Sequence, residues 1–159
     1  MMMSPFINGT QGLLQSWKDL RRLLTSNLSD YEHLSLVINF WSFAPLSPRC
    51  LDWDCPEDWM DPWNLVYSNN FDESSISLGM MYTLLLSDDQ RWTHDRCRLQ
   101  LIKDDVNSIQ KIILFVDENK LLNYEYKKII DINSLQTTFF VQQEYIYSGK
   151  NYSIKDNRR

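Results

Sequence analysis

The sequence predicts an α+β fold in which N-terminal helices and a central helix pack on an antiparallel sheet. Two observations support this class. Apolar residues recur at helical spacing through the first half of the chain, and they alternate with polar residues in much of the second half. In addition, 159 residues with 43% hydrophobic content are enough for one ordinary globular domain with a core of its own.

Three helices are predicted in the first half of the chain. Apolar residues at helical spacing place the first helix over residues 13–24. Ser29 stands three residues before Glu32, which is a capping-box pair, so the second helix should cover residues 30–41. The third helix, over residues 74–86, is the most apolar of the three, and we expect it to be the central buried helix.

The second half of the chain predicts an antiparallel meander. Residues 97–103 alternate between apolar and polar side chains, as a half-buried strand does, and residues 111–117 form a continuous apolar strand. A polar turn at residues 117–120 leads into a return strand at residues 121–126. A last strand is predicted at residues 139–147.

Both ends of the chain are polar and show no periodic apolar pattern. We therefore expect a flexible arm at residues 1–12 and a flexible tail at residues 148–159. A single domain should then occupy residues 13–147.

Composition and charge exclude several classes of function. The net charge of −5 and the pI of about 4.9 disfavour binding to a phosphate backbone, so we expect no nucleic-acid partner. The sequence contains no apolar run of about 18 residues, which disfavours a membrane partner. The N-terminal residues do not resemble a secretory signal, so the three cysteines are expected to be reduced thiols in a cytoplasmic setting.

An acidic loop rich in tryptophan occupies residues 49–63. Its acids and large rings could form an interface with a partner protein, or the acids could bind a divalent cation. Alternatively, the loop is solvated, with buried rings holding it in place and its acids facing water. The residues predicted to bind a partner are Trp53, Trp59, Trp63, Asp52 and Asp54.

Two other chemistries were weighed. Cys50, Cys55, His94 and Cys97 are potential zinc ligands, but their spacing is atypical, and the strand pattern explains Cys97 as a core thiol. Neighbouring acids in the loop at residues 49–63 could act as a glycosidase pair, although so many acids make such pairs an expected coincidence. The sequence therefore predicts no metal and no cofactor.

A series of short motifs follows the order found in the bacterial transglutaminase-like cysteine proteinases. An aromatic pair is followed by a Trp-x-x-Pro segment, an acidic helix start with a Tyr-Thr-Leu run, and two strands. These motifs lie at Phe40–Trp41, Trp59–Trp63, Phe71–Glu73, Met81–Leu84, Lys111–Leu114 and Leu121–Tyr124. The chain resembles this family over residues 34–126, and the resemblance implies a transglutaminase-like or papain-like fold.

The resemblance also implies where a catalytic triad would lie. The nucleophilic cysteine of the family corresponds to Glu73, its histidine to Lys111 and its aspartate to Asn123. A carboxylate cannot replace a thiolate, and a lysine ammonium is not a base at neutral pH. Because a triad works as a unit, we expect no catalysis, and we expect Glu73 and Lys111 to form an ion pair instead.

The acidic loop, the Trp-x-x-Pro-Trp segment and the Leu-Gly-Met-x-Tyr-Thr-Leu helix also resemble short proteins of marine tailed bacteriophages. This resemblance implies a non-catalytic structural or assembly adaptor of the virion, in its neck, tail or baseplate. Such a protein is made in the host cytoplasm, contacts other virion proteins and is present in multiple copies. Two alternatives stay open: an active cysteine hydrolase or transamidase, and a regulatory module that binds a host protein.

Overall fold

The computed structural model describes residues 4–48, 50–135 and 138–155. In these residues four α-helices precede six β-strands. The helices are α1 (Gly9–Leu23), α2 (Asp30–Trp41), α3 (Pro62–Ser68) and α4 (Glu73–Leu85). The strands are β1 (Cys97–Asp104), β2 (Ile109–Val116), β3 (Lys120–Leu122), β4 (Ile129–Asp131), β5 (Phe140–Tyr147) and β6 (Tyr152–Ile154).

The strands form one antiparallel sheet in the order β4-β3-β2-β1-β5-β6. The predicted turn between β2 and β3 is present, and Asp117 and Glu118 both have positive φ, at 53° and 63°. Two consecutive positive φ values fit the tight hairpin turn whose twist matches that of the flanking strands. The predicted antiparallel meander is therefore confirmed.

Helix α4 lies at the centre of the core, as predicted, and all of its side chains from Ser74 to Leu84 are buried. Thr83 organises this core, because its hydroxyl accepts hydrogen bonds from the indole N–H groups of Trp17 and Trp41 at 2.9 and 3.0 Å. One turn earlier, a Cβ added at Gly79 would lie 2.4 Å from the ring of Trp41. Glycine thus allows α2 and α4 to approach closely.

The second helix has the predicted bounds and the predicted cap. The Ser29 hydroxyl accepts from the backbone N–H of Glu32, and the Glu32 carboxylate accepts from the backbone N–H of Ser29, both at 3.1 Å. Helix α3 was not predicted, although Asp61 at its N-cap and Pro62 in its first turn are ordinary start signals.

Both ends of the described chain pack more closely than predicted. Phe6, which is 4% exposed, lies in the core against the rings of Phe40, Trp41 and Phe71. A lone aromatic residue in a polar segment produces no periodic pattern, so the sequence did not reveal this contact.

At the other end, strand β6 pairs with β5 and buries Tyr152 at 7% exposure. The predicted arm at residues 1–12 and tail at residues 148–159 are therefore wrong for residues 4–12 and 148–155; the rest of both segments lies outside the described residues. No described helix has both the length and the apolar character needed to cross a bilayer.

Candidate functional site

The three positions that match the family triad come together at the start of α4. Glu73, Lys111 and Asn123 line one cleft of about 340 Å³. Ile38, Trp41, Ile76 and Met80 contribute apolar surface to the same cleft, and Glu125, Tyr126 and Lys127 also line it. We call it the α4 cleft.

The acidic residues at the helix start have capping roles. The Asp72 carboxylate accepts from the backbone N–H groups of Ser75 and Leu51, both at 2.9 Å, so it caps α4 and also holds the preceding loop. Glu73 is the first residue of the helix and is exposed. A negative charge there interacts favourably with the positive end of the helix dipole.

Two buried serines connect α4 to strand β2 through hydrogen bonds. Strand β3 pairs with β2 only from Leu114 onwards, so it provides no partner for Ile112. Helix α4 supplies the missing groups: the Ser74 hydroxyl accepts from the Ile112 N–H at 3.0 Å, and the Ser77 hydroxyl donates to the Ile112 carbonyl at 2.8 Å. Ser74 also accepts from the indole of Trp53 at 3.2 Å, so its hydroxyl has a structural role rather than that of a free nucleophile.

Asn123, which directly follows β3, forms hydrogen bonds to the same part of α4. Its side-chain amide donates to the backbone carbonyl of Glu73 at 2.5 Å and to the Ser77 hydroxyl at 2.8 Å. The residue has φ of 67°, a left-handed conformation that asparagine tolerates better than most residues. This turn ends β3 at Leu122, shorter than the predicted strand at residues 121–126. Both donor hydrogens of the amide are therefore used to hold the start of α4.

The side chain of Lys111 has no hydrogen-bonding or ion-pairing partner among the residues that the structure describes. Burial lowers the pKa of its ammonium, and the negative charge of Glu73 partly opposes that shift. Glu73 and Lys111 make no direct contact in the described chain, so the interaction between them is one of charge across the cleft. The α4 cleft therefore contains a partly buried cation without a hydrogen-bonding partner in the described chain.

The loop predicted to bind a partner divides into anchoring and exposed residues. Trp59 is 8% exposed, packs in a tilted arrangement against Tyr145 at 4.6 Å between ring centroids, and donates its indole N–H to the Asp52 carbonyl. Trp53 is half-buried, whereas Asp52, Asp54 and Trp63 are exposed. Trp63 rests edge-on against Trp17 at 5.1 Å between centroids, and it stays 52% exposed.

A second cleft, which we call the β1 cleft, is lined by His94, Cys97 and Tyr147 among others. Cys97 is 5% exposed, and burial raises its thiol pKa to about 12. The prediction of a core thiol is thus confirmed. Although a cysteine and a histidine line this cleft, a thiol with such a pKa stays protonated at neutral pH.

The four cysteine and histidine residues weighed as a zinc set are not brought together. Cys50 and Cys55 line a separate cleft of about 160 Å³ near the start of α4, whereas His94 and Cys97 line the β1 cleft. Within the described residues, a different group has ligand atoms within 4.8 Å of one another, namely Cys55, Glu57 and Asp58. A hydrogen bond with Asp52 raises the pKa of the Cys55 thiol, which disfavours a thiolate ligand there.

Comparisons with known proteins support the fold. No protein-family model and no curated protein sequence matches the chain. Its structure is similar to that of Legionella pneumophila LapG, a protein of transglutaminase-like cysteine protease fold, with a TM-score of 0.67 and 15% identity over 85% of this chain and 75% of that one. The predicted transglutaminase-like α+β class is therefore confirmed.

Two further LapG structures match similarly. A calcium-bound form gives a TM-score of 0.70 at 14% identity, over 96% of this chain and 83% of that one. An EGTA-treated form gives 0.64 at 14% identity, over 93% and 82%. At this level of identity the likeness establishes the fold alone.

Proposed function

We propose that the chain is a non-catalytic binding domain on a transglutaminase-like scaffold, acting as a structural or assembly adaptor in the virion of a tailed phage. One observation carries the non-catalytic part. The positions matching the family triad share the α4 cleft, as a working triad must, but they hold Glu73, Lys111 and Asn123.

Three described polar residues at or beside the triad positions already have structural hydrogen bonds. Asp72 is occupied as a helix cap, Ser74 accepts two hydrogen bonds, and Asn123 uses both amide hydrogens to hold α4. Nucleophilic catalysis needs a nucleophile beside a base that can take its proton. The same residues instead stabilise the junction between α4 and β2.

The exposed part of the tryptophan-rich loop is the proposed contact with other virion proteins. Trp63 with Asp52 and Asp54 offers a large ring and acids to a partner, which suits an interface. Trp53 and Trp59 anchor the loop through hydrogen bonds to Ser74 and to the Asp52 carbonyl, whereas Trp63 rests on Trp17 of α1. The phage assignment itself rests on the sequence resemblance described above.

Purified particles test this proposal. Quantitative mass spectrometry should find the protein in the virion at a fixed number of copies. Glu73→Ala should leave particle assembly intact, whereas Trp63→Ala should reduce incorporation. Absence from particles, together with co-purification of a host protein from infected cells, would favour the regulatory alternative.

One observation favours the active cysteine hydrolase as a second candidate, because His94 and Cys97 line the same cleft. Burial of the thiol and its raised pKa count against this candidate. A thiol-directed probe at neutral pH distinguishes the two functions. Stoichiometric labelling of Cys97 in the folded protein would support the hydrolase, and labelling confined to the exposed Cys50 would support the adaptor.

A further inference from the structure

We propose that the α4 cleft binds a peptide carboxylate of the partner, and that the ammonium of Lys111 receives it. The inference rests on the proposed function, because a binding domain can use this cleft for recognition where an enzyme would use it for chemistry. It names the chemical class of ligand that this cleft selects.

The side chain of Lys111 is partly buried and lacks a direct partner among the described residues. Its ammonium is partly removed from water and has no direct acceptor or carboxylate among the described residues. A charge that loses hydration without gaining a partner raises the free energy of the folded protein. A ligand carboxylate would supply the missing acceptor through a charge-assisted hydrogen bond.

Two lysines and two glutamates line the α4 cleft, and they differ in exposure. Lys127 also lines it, with its ammonium 5.5 Å from the ring centroid of Phe43. The two acids that line the cleft, Glu73 and Glu125, are exposed, so water screens them more than it screens the half-buried Lys111. Glu73 is in addition stabilised by the dipole of α4. The less screened charge is thus positive, which favours an anion.

The α4 cleft also has an apolar lining and a volume suited to a small ligand. Trp41, Ile76 and Met80 form its buried apolar wall, and Leu46, which is 61% exposed, adds accessible apolar surface beside them. A volume of about 340 Å³ lies within the range of small-ligand sites. An extended peptide could therefore place an apolar side chain against these residues and a carboxylate at Lys111. That carboxylate can come from an aspartate or glutamate side chain or from a C-terminus.

Three short peptides test the inference on the full-length protein labelled with ¹³Cε-lysine. The first is acetyl-Leu-Asp-Leu-amide, and the second is acetyl-Leu-Asn-Leu with a free C-terminus. The third, acetyl-Leu-Asn-Leu-amide, has no carboxylate and is the control. The Lys111 resonance, assigned with Lys111→Arg, should move with at least one of the first two peptides and not with the third. Its pKa should rise when the carboxylate is bound, because a neighbouring negative charge favours the ammonium.

Matched variants separate charge recognition from shape. Lys111→Met should weaken binding of the carboxylate peptide about 10- to 100-fold, the range for a hydrogen bond to a charged group. Lys111→Arg should largely retain binding, and Lys127→Met should weaken it less than Lys111→Met does. Glu73→Gln should leave binding unchanged or tighten it. Near-ultraviolet circular dichroism checks that each variant stays folded.

The outcomes distinguish this inference from the proposed function. Equal binding of all three peptides, unchanged affinity in Lys111→Met, or no response of Lys111 to either carboxylate peptide at millimolar concentration would overturn the carboxylate site and leave the adaptor role standing. Cleavage or transamidation of any peptide would instead contradict the proposed function itself.

Discussion

The α4 cleft and the β1 cleft differ from a cysteine-protease triad in opposite ways. The α4 cleft brings together the three positions of a triad, but Glu73, Lys111 and Asn123 lack its chemistry. The β1 cleft contains a cysteine and a histidine, but the thiol is 5% exposed with a pKa of about 12. The positions that match a triad and the cysteine–histidine pair therefore lie in different clefts.

In both clefts the polar or titratable groups are held by contacts that support the fold. Around the α4 cleft the polar groups form a closed network from α4 to the edge of β2, with Ser77 hydrogen-bonded to both Asn123 and Ile112. At the β1 cleft burial holds Cys97 in its neutral form. Substitutions at the two clefts should therefore change stability and reactivity by different amounts.

The largest expected effect concerns helix α4, which contributes residues to both clefts. Leu78 is fully buried in it, so Leu78→Ala should lower the free energy of unfolding by about 2–5 kcal/mol. The matched control is Leu23→Ala at a 57% exposed position, which should change it by less than about 0.5 kcal/mol. Urea denaturation measures both. A similar small effect for the two variants would contradict the placement of α4.

A second substitution tests whether Asn123 is structural. Asn123→Asp restores the family's residue with nearly the same shape, but it removes both hydrogen-bond donations to α4. It should lower the free energy of unfolding by about 1–3 kcal/mol, because a carboxylate would then face the Glu73 carbonyl without a donor. Asn123→Gly, which keeps the left-handed backbone conformation, should also be destabilising. Unchanged stability in both variants would mean that the amide does not support the helix.

A third prediction concerns how fast the thiol in the β1 cleft reacts. At pH 8 only about 10⁻⁴ of Cys97 should be thiolate, so iodoacetamide should modify it far more slowly than the exposed Cys50. The raised thiol pKa also makes the free energy of unfolding decrease at high pH. Because folding raises the pKa of Cys97 from 9.0, its contribution to stability is full below about pH 9 and is lost as the pH rises towards 12. Peptide mapping after timed alkylation provides the rates, and equal rates at Cys97 and Cys50 would contradict the buried state.

The smallest expected effect is at the nucleophile position itself. Glu73 is exposed and interacts with the helix dipole and, without a direct contact, with the charge of Lys111. Glu73→Gln should therefore change the free energy of unfolding by no more than about 0.5–1 kcal/mol. Thermal or urea unfolding at two salt concentrations checks this. A loss of several kcal/mol would reveal a buried role for the carboxylate.

Much of the fold could be predicted because its signals are local. The capping box of Ser29 and Glu32 fixed the start of α2, and the apolar run at residues 74–86 identified α4 to within one residue at each end. The class of sheet followed from alternation in residues 97–103. By contrast, Phe6 and Tyr152 join the core through contacts distant in sequence, which leave no periodic pattern.

The candidate site was partly predictable. Motif order alone placed Glu73, Lys111 and Asn123, and the structure brings these three together. The hydrogen bonds of Ser74 and Ser77 to Ile112 were not foreseen, because they depend on where β3 stops pairing with β2. Motif order likewise did not determine that Glu73 and Lys111 interact through charge without a direct contact, since it does not determine the distance between two side chains.

The proposed absence of cysteine chemistry can be measured in a turnover assay. The purified protein, incubated with a peptide library and an amine acceptor, should yield neither cleaved nor transamidated products by mass spectrometry, and Cys97→Ala should behave identically. Product formation by the native chain that disappears in Cys97→Ala would show that the protein is an active cysteine enzyme.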